Sequence, residues 1–165
     1  MSTQLPTYLL GHLFTTEEMR AIFSDQRRIQ AMLDFEAALG RALARAGVIP
    51  QGTAAAIESK CDAKLFSMET LAQEAALAGN LAIPMVKQLT SLVTKADEKA
   101  GGFVHWGATS QDAIDTGTVL QLRDALDLTD QALLKVCDAI AHFGRQVQRD
   151  EKAHQAGRFR PASRK

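Results

Sequence analysis

Eight consecutive residues, His105-Trp106-Gly107-Ala108-Thr109-Ser110-Gln111-Asp112, bring together an imidazole, two hydroxyls, an amide and what reads as the start of a helix. Thr109, Ser110 and the free N–H groups of the following turn would supply neutral donors and the positive end of a helix dipole, which suits a carboxylate. An imidazole ordinarily titrates near neutrality, so His105 is suited to positioning a substrate, moving a proton or donating to an anion. A plainer reading stands beside this one, with Ser110 an N-cap, Asp112 a first-turn acid, Trp106 a core anchor and His105 a structural hydrogen-bonder. His12, His142 and His154 stand in weaker contexts: an irregular arm, a long helix and a basic tail. The Asp and Glu residues on helices read as solvated faces. No His, Cys or carboxylate spacing matches a metal site, and Gly101-Gly102 lacks the Gly-Lys-Ser/Thr ending of a phosphate loop, so neither metal nor nucleotide is expected.

The elements that must position this loop are helical. Met1 to Phe14, with Pro6 and Gly11, reads as an extended arm. Thr15 and Glu18 form a capping-box pattern, followed by a helical run to Ala46 with a break near Ser24-Asp25 and a stop at Gly47 and Pro50. The pattern predicts further helices from Thr53 to about Lys60, from Ser67 to a left-handed cap at Gly79, and from Ile83 to Ala100. Gly101-Gly102 then opens the loop, and Ser110 caps a helix from Gln111 to about Asp150. In that last helix Val119, Leu122, Leu126, Leu133, Val136, Ile140 and Val147 follow a three-and-four stepping. Such a helix would be roughly 60 Å long, against about 40 Å for the diameter of a compact chain of this size, so its stripe needs partner surface from further chain or other subunits.

Composition agrees with helices packed on helices. The 165 residues are 46% hydrophobic and 23% charged, and 27 alanines against 5% aromatics imply close backbone approach rather than packing around large rings. Formal net charge is zero, so the chain has no excess positive charge to collect phosphates, and nucleic acid is disfavoured as the main partner. The first positive charge is Arg20, and no apolar run is long enough to span a bilayer. No membrane association and a cytoplasmic location are therefore expected. Cys61 and Cys137 lie far apart and read as reduced, structural thiols. The expected division is an amino-terminal helical domain over residues 1–110, the first long helix of a bundle over 111–150, and an irregular basic tail over 151–165.

The run from Val104 to Gly117, Val-His-Trp-Gly-Ala-Thr-Ser-Gln-Asp-Ala-Ile-Asp-Thr-Gly, resembles the first signature segment of the fumarase, aspartase and adenylosuccinate lyase superfamily. Its Gly-Ala-Thr-Ser-Gln-Asp-Ala-Ile-Asp-Thr core is most similar to the 3-carboxy-cis,cis-muconate cycloisomerases of bacterial protocatechuate catabolism. Ile22-Phe23-Ser24-Asp25, the stretch from Met32 to Leu39, Gly47-Val48-Ile49-Pro50 and the stretch from Ala78 to Pro84 are similar to the same subgroup, so the resemblance runs from about Leu13 to Arg149. Adenylosuccinate lyases share the Gly-x-Thr-Ser-x-Asp core but usually carry an Arg-Tyr pair where this chain has Leu13-Phe14, and a His-Asp pair near Gly79-Asn80-Leu81.

The resemblance implies an all-α fold, an amino-terminal helical domain leading into a long-helix bundle, assembled as a homotetramer with sites shared between subunits. It implies that Thr109 and Ser110 bind a carboxylate of a small dicarboxylate or tricarboxylate substrate, that His105 and Gln111 position it, and that Asn80 adds an amide contact. The reaction it implies is cofactor-free lactonisation of a muconate. Family members are well over twice this length and have a Gly-Arg-Thr segment and a Gly- and Ser-rich loop followed by Met-Pro. Gly157-Arg158 echoes the former, but Phe159-Arg160-Pro161 does not continue it. The chain is therefore expected to be an amino-terminal part that leaves the family pattern near Ala153, as truncation, a frameshift or a gene-model error would produce, and to lack activity by itself. The other expectations are a fragment of an adenylosuccinate lyase-like enzyme, or a non-catalytic helical module that binds partner helices through the long stripe and has no need of His105, Thr109 and Ser110 together.

Overall fold

A computed structural model describes residues 11–158, and every regular element among them is helical. The first is α1, Gly11–Phe14, a single turn where the sequence suggested extended chain; Met1 to Leu10 of that arm lie outside the described residues. Thr16, rather than Thr15, caps α2, Glu17–Ile22, by accepting a hydrogen bond from the Met19 N–H at 3.2 Å. The expected break then falls at Ser24, whose hydroxyl accepts from Arg27 N–H and starts α3, Asp25–Arg45.

Helix α3 is the spine of the core. Ile29, Met32, Leu33, Glu36, Ala37, Gly40 and Ala44 are buried along one face of it, at the three-and-four spacing that aligns side chains on a helix. Around them lie α4, Thr53–Glu58, a 3₁₀ turn at Ala63–Leu65, α5, Met68–Ala78, and α6, Ala82–Ala96. Their contributions to the core include Ile57, Leu71, Met85, Leu89 and Val93. The Gln30 side chain ties the turn after α4 to α3: its amide donates to the Cys61 carbonyl at 3.0 Å, and its oxygen accepts from Ala63 N–H at 2.9 Å. Ser67 caps α5, and Gly79 ends it at φ 64°, a left-handed conformation that glycine adopts without strain.

The single helix expected from Ile83 to Ala100 is two. Asp97 sits at φ −151°, ends α6, and turns its carboxylate onto the N–H groups of Lys99 and Ala100 to start α7, Glu98–Gly101. An aspartate offers the backbone this alternative hydrogen bond, which is why it favours helix starts over helix interiors. The last helix, α8, covers Ser110–Arg158. It passes Asp150, the expected end, and the residues expected to be irregular from Ala153 are helical as far as Arg158 because the intervening Ala153, His154, Gln155 and Ala156 contain no breaker.

Two compact units are distinguished, Met1–Ala125 and Leu126–Lys165. The first includes the opening turns of α8, so it extends beyond residue 110. Within it Arg27 pairs with Asp124 at 2.7 Å and with Asp34 at 3.3 Å, and buried Gln121 donates to the Ile22 carbonyl at 2.7 Å. Alanines at positions 31, 82, 100 and 113 are almost fully buried, the close approach that the composition required. In the second unit Leu133, Val136, Ile140 and Val147 are exposed along α8, together with Leu134 and Phe143. Both cysteines are free thiols; Cys61 is half-buried, whereas Cys137, expected inside, is exposed. Among the described residues no helix is long and apolar enough to cross a membrane.

At Gly117 helix α8 comes close to α3. A Cβ there would fall 2.9 Å from Met32 Cγ and 3.3 Å from Met32 N, while one at Gly144, further along α8, would meet nothing within 4 Å. Overpacking costs about 1 to 3 kcal/mol, and replacing a helical glycine by alanine returns up to about 1 kcal/mol. Gly117→Ala is therefore expected to lower the denaturation midpoint despite its better helix propensity, and Gly144→Ala to leave it unchanged or raise it. Urea titrations followed by circular dichroism check both signs.

Candidate active-site segment at the α7 to α8 loop

The loop is anchored by Phe103, which packs against the hydrophobic core. Trp106 leans on Phe103 with ring centroids 5.6 Å apart and planes at 57°, and it is 50% exposed. Phe103 therefore fills the anchoring role expected of Trp106. His105 has φ 58° and Gly107 has φ 75°; two left-handed residues so close together turn the chain sharply, and the Ala108 N–H donates to the His105 carbonyl at 3.3 Å. The left-handed region costs a non-glycine residue about 1 to 2 kcal/mol, so the surroundings must hold His105 in place.

What holds it is Glu36. The His105 Nδ1 lies 2.5 Å from Glu36 Oε1 on the buried face of α3. The His105 side chain is 15% exposed, and the Glu36 side chain is fully enclosed. Burial pushes the Glu36 carboxyl above its ordinary value of 4.5, with the nearby imidazole pulling in the opposite direction. Its second oxygen, Oε2, is buried without a partner among the described residues. Sequence reasoning counted Glu36 among the solvated acids. The available signal was its register: it lies three residues after Leu33 and seven after Ile29, in the apolar stripe of α3.

At the start of α8 the cap position belongs to Thr109 rather than Ser110. The Thr109 N–H donates to the Asp112 carboxylate at 2.9 Å, and the Asp112 N–H donates to the Thr109 carbonyl at 3.0 Å. Asp112 is thus the first-turn acid anticipated, and it satisfies one of the helix-start donors. The backbone N–H groups of Ser110 and Gln111 have no partner among the described residues, nor have the hydroxyls of Thr109 and Ser110. Thr109 is exposed and Ser110 half-buried. Gln111 is exposed and donates to Asp115 at 2.5 Å. Asn80 begins α6 instead, its oxygen accepting from the N–H of Ala82 at 2.8 Å and of Ile83 at 3.4 Å. Among the described residues no hydrogen bond joins it to the loop.

The structure thus places His105, Thr109, Ser110 and Gln111 on one short segment, adds Glu36, and puts Asn80 at a different helix start. His142 and His154 are exposed on α8, and the side chain of His12 lies outside the described residues. No group of three or more His, Cys, Asp or Glu could hold a metal ion among the described residues. The arrangement can donate hydrogen bonds to an anion from two hydroxyls, two backbone amides and an imidazole whose far nitrogen is braced by a buried carboxyl.

A lyase family profile matches residues 13–149. The chain belongs to this lyase family. Its match covers the stretch over which the sequence motifs run. This lyase chain is 53% identical over 133 residues to the 3-carboxy-cis,cis-muconate cycloisomerase of Pseudomonas putida, which covers 81% of the chain and 32% of that protein. It is 48% identical over 158 residues to the enzyme of the same name from Pseudomonas aeruginosa, covering 96% of the chain and 34% of that protein. The crystal structure of 3-carboxy-cis,cis-muconate lactonizing enzyme from Pseudomonas putida matches with a TM-score of 0.73 at 54% identity, over 74% of this chain and 28% of that one. The lyase chain therefore spans about a third of the length of the curated relatives it matches.

The raised Glu36 carboxyl makes stability depend on pH. The folded chain holds this proton more tightly than the unfolded chain, whose carboxyl titrates near 4.5. Its contribution to stability is fully present below that value and is lost as pH rises from there through the folded value. Glu36→Gln removes the titration, so its melting temperature is expected to gain on the wild type as pH rises through this window. Parallel profiles in thermal melts across the pH series would contradict the assignment.

Proposed function

We propose that this chain supplies a carboxylate-binding segment of a 3-carboxy-cis,cis-muconate cycloisomerase, with Thr109 and Ser110 as the hydroxyl donors. The observation that carries the reading is the set of unpartnered donors at the start of α8, the Thr109 and Ser110 hydroxyls and the Ser110 and Gln111 N–H groups, beside His105. The identity to the Pseudomonas enzymes across this region supports the substrate class. Gln111 and Asn80 act as secondary contacts in this reading, each through the part of its amide that its intrachain bonds leave over.

The reaction is an internal addition. One carboxylate oxygen of the muconate forms a carbon–oxygen bond to an alkene carbon, and a proton is added to the neighbouring carbon beside another carboxylate. Nothing is oxidised or reduced in this step, so it needs no electron carrier. Negative charge of the enolate kind develops on the carboxylate next to the protonated carbon, and preorganised donors aimed at that carboxylate lower the barrier. Donors at a helix start do this without a fixed counter-ion and without reorganising as the charge grows.

The exposed stripe of α8, Leu133, Val136 and Ile140 with Leu126 before it, is read as a surface covered by other helices of the same protein in a homo-oligomer. Changing Leu126 and Leu133 together to Gln is expected to lower the association state in sedimentation; an unchanged state would count against the reading.

The segment itself is tested by ligand binding. The 165-residue chain is expected to bind 3-carboxy-cis,cis-muconate weakly, shifting the backbone amide signals of Ser110 and Gln111, while leaving the ultraviolet absorbance of the substrate unchanged because turnover needs more than this segment. Ser110→Ala is expected to weaken that binding by roughly 10-fold to 100-fold, since a hydrogen bond to a charged group contributes about 1.5 to 3 kcal/mol. Binding unaffected by Ser110→Ala, with no amide shifts at the loop, would return Thr109 and Ser110 to the role of a helix start.

A further inference from the structure

We infer that Glu36 is a positioning residue for His105: it keeps the proton on Nδ1 and leaves Nε2 as the one ring nitrogen that exchanges a proton or a hydrogen bond with substrate. The inference deepens the carboxylate-site reading and rests on it for the identity of the substrate. Its basis is geometric. The carboxyl is enclosed in the core on α3, its Oε1 is 2.5 Å from Nδ1, and among the described residues this is the hydrogen bond that holds the imidazole. Among the described residues the ring's other nitrogen has no hydrogen-bond partner, and the side chain keeps 15% of its surface exposed, so Nε2 is the edge left open.

The direction of the bond follows from what each group can offer. An ionised carboxyl oxygen only accepts, so the proton between the partners belongs to Nδ1. A second proton then has Nε2 as its place, and the ring can change protonation state only on the open side. This is the logic by which a carboxylate behind a histidine fixes tautomer and ring orientation.

The remaining titratable groups near the pair leave this assignment intact. Cys61, on the turn after α4, is pushed up to about 12, by burial first and then by the charges of Glu36, Glu58 and Asp34, so it stays a neutral thiol. Asp112, at the start of α8, is engaged by the Thr109 N–H. The backbone points the same way: His105 holds φ 58°, a conformation that an unrestrained histidine would leave and that brings the ring back over α3 to meet Glu36.

Nitrogen-15 spectra of the 165-residue chain, labelled at histidine and assigned with His105→Gln, read the tautomer directly. In the wild type, the neutral His105 ring is expected to show Nδ1 at the shift of a protonated nitrogen and Nε2 at that of a bare one. In Glu36→Leu the neutral ring is expected to revert to a mixture of both tautomers, and in Glu36→Gln, whose side-chain carbonyl can still accept from Nδ1, the wild-type tautomer is expected to return. A wild-type spectrum with Nδ1 bare overturns the proposal whether or not either variant folds. So does a folded Glu36→Leu chain with an unchanged tautomer. Neither result depends on added ligand, so a failure of 3-carboxy-cis,cis-muconate to bind falls on the substrate reading alone.

Discussion

A carboxyl buried in an apolar helix face has to be answered by a donor, and the answer to Glu36 organises this molecule. An isolated ionised group in such a place is costly, and His105, reaching in from the α7 to α8 loop with its imidazole and its backbone, makes it tolerable. The requirement works in both directions. Helix α3 must present Glu36 inward, and the loop must take a left-handed turn at His105 to arrive there. Once that loop is pinned, the start of α8 follows a few residues later, and with it the Thr109 and Ser110 hydroxyls. The core and the candidate site are therefore joined by a hydrogen bond as well as by the packing of Phe103.

Around this pair, closeness comes from small side chains. Gly117 lets α8 lie against Met32, and alanines at positions 31, 82, 100 and 113 are buried with almost no surface left exposed. Where the contact turns polar it is specific: Arg27 with Asp124 and Gln121 with the Ile22 carbonyl connect the opening turns of α8 to the α2 and α3 region. Both of these polar ties arise in the part of α8 that belongs to the first unit.

The sequence showed the helices with punctuation of their own. Ser24, Ser67 and Gly79 each sit where the residue type demands, and the all-helical class followed from alanine content and periodicity. The start and end points that failed involve residues whose local choice depends on context. Thr15 and Thr16 are chemically equivalent caps, and Asp97 could equally have been one more exposed acid within a long helix. Asp112 closes on the N–H of Thr109, which moves the cap one residue from Ser110. The loop motif was legible because unusual residue types cluster in it. Glu36 was not, because a glutamate carries no mark of burial in itself; only the apolar neighbours three and seven residues before it give it away. Asn80 was legible as a polar loop residue, but the engagement of its amide oxygen at the start of α6 was not.

Trp106 is the only tryptophan in the chain, half-exposed and next to His105. Indole emission shifts with the polarity and mobility of its surroundings, so the intrinsic fluorescence of this protein originates at the edge of the candidate site rather than in the core. The fold thus carries its own optical probe: during denaturation the signal reports when the loop lets go of α3, and a separate backbone signal reports when the helices melt.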